Sequence, residues 1–155
     1  MKKYNLFLSP DTPDDIRQVS YYLAKRMAEL GYFLSVVDPK AEKDAIKGAK
    51  DGEGEGEIVN KATVDSWEEL ESVHPTWYRC GAAARAWHAK RANAMEESQF
   101  LVIWTPNGEE SAEDTTLRTG GLGQAIRLAS QRGMPIFNLS NEDALTRIGE
   151  FVQSI

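Results

Sequence analysis

Thr119-Gly120-Gly121-Leu122-Gly123 is the segment whose residue types and spacing best fit a chemical task. Glycines at 120, 121 and 123 let the backbone turn tightly. A helix that starts there aims free N–H groups and the positive end of its dipole at an anion. Phosphate suits such a turn, with Thr119 and Gln124 as side-chain donors beside it. Arg127 follows one helical turn later and reads either as a contact for a second phosphate or ribose edge, or as an exposed helix cation. His88 and Arg91, three residues apart in WHAKRAN, share a helix face and could converge on the same ligand, with Asn93 behind them. Ser9 and Pro10 end a first apolar run, and Thr105 and Asn107 follow the apolar run FLVIW beside Trp104. Thr105 and Asn107 stand where the loop after a strand meets ligand in parallel α/β sheets. Between that run and the turn lie Glu109, Glu110, Glu113 and Asp114, which would repel a bare phosphate close by. They read either as a solvated lid tip or as a carboxylate set for a divalent ion that arrives with the ligand.

Other chemistries are poorly supplied. One cysteine and two histidines leave no internal disulfide and no spacing of a zinc-binding kind. Cys80 reads as a small apolar helix residue, not a nucleophile. No catalytic set and no metal set emerges. The four tryptophans read as core or interface, with Trp104 nearest the ligand. A net charge of −6 disfavours the broad basic face that non-specific nucleic-acid binding needs, so a small ligand is the expected partner. No apolar run spans a bilayer, the first residues read as a strand and not a signal peptide, and a reducing cytoplasmic setting is expected.

The positioning elements follow from periodicity. Continuous apolar runs at 4–8, 32–37, 100–104 and 135–139 read as strands buried on both faces. A helix follows Thr12-Pro13, with Thr12 as N-cap, apolar residues Ile16, Val19, Leu23, Met27 and Leu30 on one face, and Gly31 as its stop. Residues 38–61 read as a polar stretch with room for one short helix before the glycine–glutamate alternation forces a loop. Residues 67–95 read as helix broken at His74-Pro75, 120–132 as a helix stopped by Gly133 and Pro135, and 140–155 as a final amphipathic helix. Strand alternating with helix predicts a single Rossmann-like α/β domain of three layers, a mainly parallel sheet with helices on both faces, over 1–155.

The segments DTPDDI, VHPTWYRCGAAARAWHAKRAN and LVIWTPNG…TGGLGQAIRLASQRGMPIFNL together resemble the SLOG superfamily. This Rossmann-like group contains the DprA recombination mediators and the LOG-type phosphoribohydrolases, and the chain is most similar to its small stand-alone bacteriophage members. The resemblance implies a nucleotide-derived ligand over the carboxyl edge of the sheet, touched by Ser9 and Pro10 and by Gly120, Gly121 and Gly123. It also implies a second glycine-rich loop, but here Ser35-Val36-Val37-Asp38-Pro39 stands in its place, with Gly48 to Gly56 as a candidate displaced version. LOG-type hydrolases carry a catalytic glutamate where this chain has Arg127, and a guanidinium has no neutral form to act as base.

The expected function is therefore non-catalytic binding of a nucleotide or nucleotide-derived signal, with or without a divalent cation, by a homodimer or larger homo-oligomer. For a phage protein the resemblance would make sequestration of a host defence messenger its role. Two alternatives stand beside this reading. One is a hydrolase of N-glycosidic or phosphoester bonds using Asp38, Glu113 or Asp114, and the other a DprA-like single-strand DNA binder.

Overall fold

The computed structural model describes residues 2–154. Five parallel strands, β1 (Lys3–Phe7), β2 (Phe33–Val36), β3 (Gly56–Ile58), β4 (Leu101–Ile103) and β5 (Ile136–Asn138), form one sheet in the order β3-β2-β1-β4-β5. Its helices are α1 (Asp14–Glu29), α2 (Lys43–Asp51), α3 (Glu68–Val73), α4 (Ala82–Ala94), α5 (Leu122–Gln131) and α6 (Ala144–Ser154). Both faces of the sheet are buried, which explains why the strands read as unbroken apolar runs. Tyr4, Leu6, Leu34 and Val102 pack with α1, α2 and α6, whereas Phe7, Leu101, Ile103 and Ile136 pack with α3, α4 and α5. The chain is a single Rossmann-like α/β domain.

That division of helices fixes where the topology switches. Connections from β1 through β2 to β3 run on one face, and those that reach β4 and β5 run on the other. The topology therefore switches between β1 and β4, the position at which open parallel α/β sheets hold ligands at their carboxyl edge. α5 begins at that edge, and the first turns of α4 rise past it, because Ala94 at the other end of α4 accepts a hydrogen bond from Asn5 in the middle of β1.

Several local expectations are corrected. Helix α1 has Pro13 at its N-cap position without a side-chain cap, because the Thr12 hydroxyl instead accepts from the Ser9 amide at 3.0 Å. Gly31 and Gly133 take positive φ as helix stops. The glycine–glutamate stretch is not all loop: Gly56–Ile58 forms the exposed edge strand β3. Gly48, Gly52 and Gly54 make no phosphate loop either. A Cβ on Gly48 would collide with the Tyr21 carbonyl, and Cβ atoms on Gly52 and Gly54 would strike Lys25 and Ala28, so these glycines let α2 lie close against α1. The last helix starts at Ala144, and Ile155, read as part of its apolar stripe, lies outside the described residues. Among the described residues no helix is long and apolar enough to cross a membrane.

Candidate functional site

The glycine turn stands at the start of α5. Gly120 has φ +88° with open space where a Cβ would point, a conformation that favours glycine. Gly121 and Gly120 are exposed, and among the described residues neither amide donates to another backbone group. Two arginines flank the turn. Arg91 reaches across from α4, its Nη1 donating weakly to the Gly121 carbonyl at 3.5 Å and lying 3.8 Å from where a Gly121 Cβ would stand. Arg127 sits on the next turn of α5, with Nη1 3.3 Å from the corresponding point on Gly123.

Neither guanidinium has a carboxylate within salt-bridge distance among the described residues, although Arg132 and Arg147 do. The Arg91 Nε is buried without a hydrogen-bond partner. Burial lowers the pKa of both arginines, opposed in Arg91 by Glu42 and Asp38. Unpaired, partly desolvated guanidinium groups are costly to hold and bind an incoming anion strongly. His88, one turn before Arg91, is buried and packs against Trp77 and His74. Burial and these neighbouring cations push its pKa down to about 4.

Glu42, which no sequence signal singled out, organises the opposite wall. Its carboxylate accepts from the amides of Leu8, Val37 and Asp38 at 3.0, 2.9 and 2.9 Å, tying the end of β1 to the end of β2. The loop after β2 is thus closed around a buried glutamate, and the amides of Val37 and Asp38 are already used. Asp38 in turn caps Lys40 and Ala41. Arg17, also unanticipated, pins the loop after β1 by donating to the carbonyls of Ser9, Pro10 and Thr12.

Several polar residues expected at the ligand are already satisfied by the protein. The Thr119 hydroxyl accepts from Thr116 N and donates to Glu109, and Gln124 donates to the Leu70 carbonyl at 2.8 Å, fastening α5 to α3. Thr105 is buried, donating to Glu109 at 2.6 Å and accepting from Asn138 at 2.6 Å. Asn93 holds the carbonyls of Lys61 and Thr63. Asn107 is exposed in the loop after β4, and Trp104 packs toward α1, α2 and α6, on the far face from Arg91. The acidic loop is not one solvated tip. Glu109 is buried as the acceptor for Thr105 and Thr119, and Glu110 pairs with Arg147, leaving Glu113 and Asp114 exposed.

No family model, curated protein or solved structure matches this chain. The chemistry must therefore be read from the site alone. Of the expected ligand residues, the fold brings Gly120, Gly121, Gly123, Arg91, Arg127 and His88 together and turns Thr105, Thr119 and Gln124 inward. Beside Arg127 lies a hollow of about 410 Å³ lined by His74, Thr115, Thr116 and Leu117. A second hollow of about 670 Å³ between α1 and α6 is lined chiefly by aliphatic and tyrosine side chains, with Lys2, Arg26 and Gln153 among them. The first holds one cation, Arg127, and the second holds Lys2 and Arg26; neither is lined by the glycine turn.

Proposed function

We propose that this chain binds a phosphate-bearing, nucleotide-type ligand at the carboxyl edge of its sheet, in the manner of SLOG-like proteins, and retains it without hydrolysis. One observation carries the reading: two guanidinium groups without carboxylate partners, on Arg91 and Arg127, flank a glycine turn in which the Gly120 and Gly121 amides have no backbone acceptor while the Gly123 amide donates to the Gly120 carbonyl. Free amides and the helix dipole supply directed donors for one phosphate, and the arginines supply charge for that phosphate or a second.

Retention is favoured over cleavage by what stands beside the turn. Arg127 occupies the place of the LOG-type carboxylate, Asp38 is engaged in capping, and Glu109 is engaged by two hydroxyls. The test is to incubate the purified chain with AMP, ADP and ATP, separate the complex from free nucleotide, denature it and identify what is released by mass spectrometry. Intact nucleotide, with a matching heat of binding by titration calorimetry, is the expected result. Conversion to free base and sugar phosphate overturns retention, and no retained nucleotide with no heat overturns the site.

A further inference from the structure

The chain has two histidines and one cysteine in 155 residues, and the fold brings all three to one point. We propose that His74, Cys80 and His88 form a three-ligand site for a thiophilic divalent ion of the zinc class, a site independent of the nucleotide reading.

Each ligand comes from a different local element. His74 ends α3, Cys80 follows the helical turn Trp77–Arg79, and His88 lies in the second turn of α4. The break at His74-Pro75 folds the chain back so that the first two side chains meet the third. One donor atom from each lies within 4.8 Å of the other two, and the Cys80 Sγ is 3.3 Å from the His74 Nε2. Bond lengths of about 2.3 Å to sulfur and about 2.0 Å to nitrogen place the ligands of a tetrahedral ion roughly 3.3–3.5 Å apart, so closure takes an inward movement of about 1 Å from the widest separation.

An independent feature also points to a missing partner. His88 is 6% exposed, and its Nδ1 has no hydrogen-bond partner. A buried ring nitrogen left unpaired calls for an explanation, and ligation through Nδ1 would supply one. Two imidazoles and a thiolate are a donor set for zinc, cobalt(II) or copper(I), not for calcium or magnesium. Three protein ligands leave a fourth position for water or an anion. Ligation takes both rings in their neutral form and Cys80 as the thiolate.

Two features oppose binding and define what must change. Thr76 donates its amide to the His74 Nδ1 at 3.0 Å, so in the free protein the ring proton is on Nε2 and is directed at the Cys80 sulfur. Ligation through Nε2 moves that proton to Nδ1 and sacrifices the Thr76 hydrogen bond, a single part-buried bond set against three new metal bonds. Arg91 and Arg127 also repel a second cation, an effect halved when Cys80 enters as thiolate. The balance is one M²⁺ bound, one Cys80 thiol proton released to solvent, and no change in oxidation state.

Cobalt(II) titrated into reduced, chelator-treated protein reports on this directly. Expected are one equivalent bound, a thiolate-to-cobalt charge-transfer band, four-coordinate d–d bands, release of one proton per ion and displacement by zinc. Cys80→Ser should remove the charge-transfer band, and His88→Gln should weaken cobalt binding by about tenfold or more. His74→Gln, at a less buried position, should do the same and keeps the test usable if His88→Gln does not fold. Absence of the band in folded wild-type protein, its persistence in Cys80→Ser, or unchanged affinity in a folded histidine variant would overturn the site. Nucleotide retention is measured separately in chelator, so failure of either reading leaves the other standing.

Discussion

The Arg91 guanidinium and the Gly121 carbonyl meet at 3.5 Å across the gap between α4 and α5. The contact is at the limit of a hydrogen bond and stabilises little, so Arg91 is held near the turn without being consumed by it. An anion seated on the turn amides would offer the guanidinium a charged acceptor instead. Arg91→Met and Arg127→Met should each weaken ADP binding about 10–100-fold, the range for a lost hydrogen bond to a charged group. Calorimetric titration at fixed ionic strength measures it, and wild-type affinity in both variants would show that the arginines face no ligand.

Gly121→Asp separates binding from stability. Gly121 has φ −60° and ψ −32°, and a Cβ there meets only the Arg91 Nη1 at ordinary contact distance, so a side chain is tolerated. The new carboxylate stands at a helix start and beside a cation, which favours the fold by a few tenths of a kcal/mol. It also occupies the phosphate position. Unfolding midpoints should stay level or rise while nucleotide binding is lost. Gly120→Ala should do the reverse, costing about 1 kcal/mol through its positive φ. Retained affinity in Gly121→Asp would remove the turn from the site.

Glu109 is the acceptor that holds the β4 loop onto the turn, through Thr105 at 2.6 Å and Thr119 at 2.8 Å. Burial works to raise its pKa, but these hydroxyls and nearby amides outweigh it and hold the carboxyl below its ordinary value. Stability from this group is therefore present above the unfolded pKa and lost as acid protonates the folded carboxylate. Glu109→Ala leaves two buried hydroxyls without their acceptor and should cost about 1–3 kcal/mol in urea unfolding. A loss under 0.5 kcal/mol would mean that the network does not hold the turn, since that is the range of surface substitutions.

Much of this architecture was legible because burial on both faces writes itself as apolar runs. β1, β2, β4 and β5 were each evident, whereas β3 was hidden because an exposed edge strand needs no apolar residues and Gly56 is packed close to the Leu34 carbonyl. That Gly120, Gly121 and Arg91 stand near one another rests on local features, a glycine turn at a helix start and a cation on the facing helix. Thr105, Thr119 and Gln124 were misread because a polar side chain beside a glycine turn serves equally well to satisfy a buried carboxylate or carbonyl. The meeting of His74, Cys80 and His88 had no signature, since it depends on the fold-back after α3 and not on a fixed spacing. Glu42 was invisible for a similar reason: its partners Leu8 and Val37 are joined only by strand pairing.

Glu42 gives the site a pH dependence of its own. Burial pushes its pKa from 4.5 up to about 7, against the three amides and Arg91, which favour the carboxylate. Between those values the folded chain holds a proton that the unfolded chain has released. Stability from this group is thus complete below pH 4.5 and is lost as pH rises through about 7, a change of about 3 kcal/mol at most. In Glu42→Gln the amide oxygen still accepts from Val37 and Asp38, but the amide nitrogen faces the Leu8 N–H. The variant should be less stable overall yet lack this falling slope. Removing the Arg91 charge should raise the Glu42 pKa further and extend the slope to higher pH in Arg91→Met. Urea unfolding of the three proteins from pH 4.5 to 8 distinguishes them, and identical slopes in wild type and Glu42→Gln would show that Glu42 is ionised throughout that range.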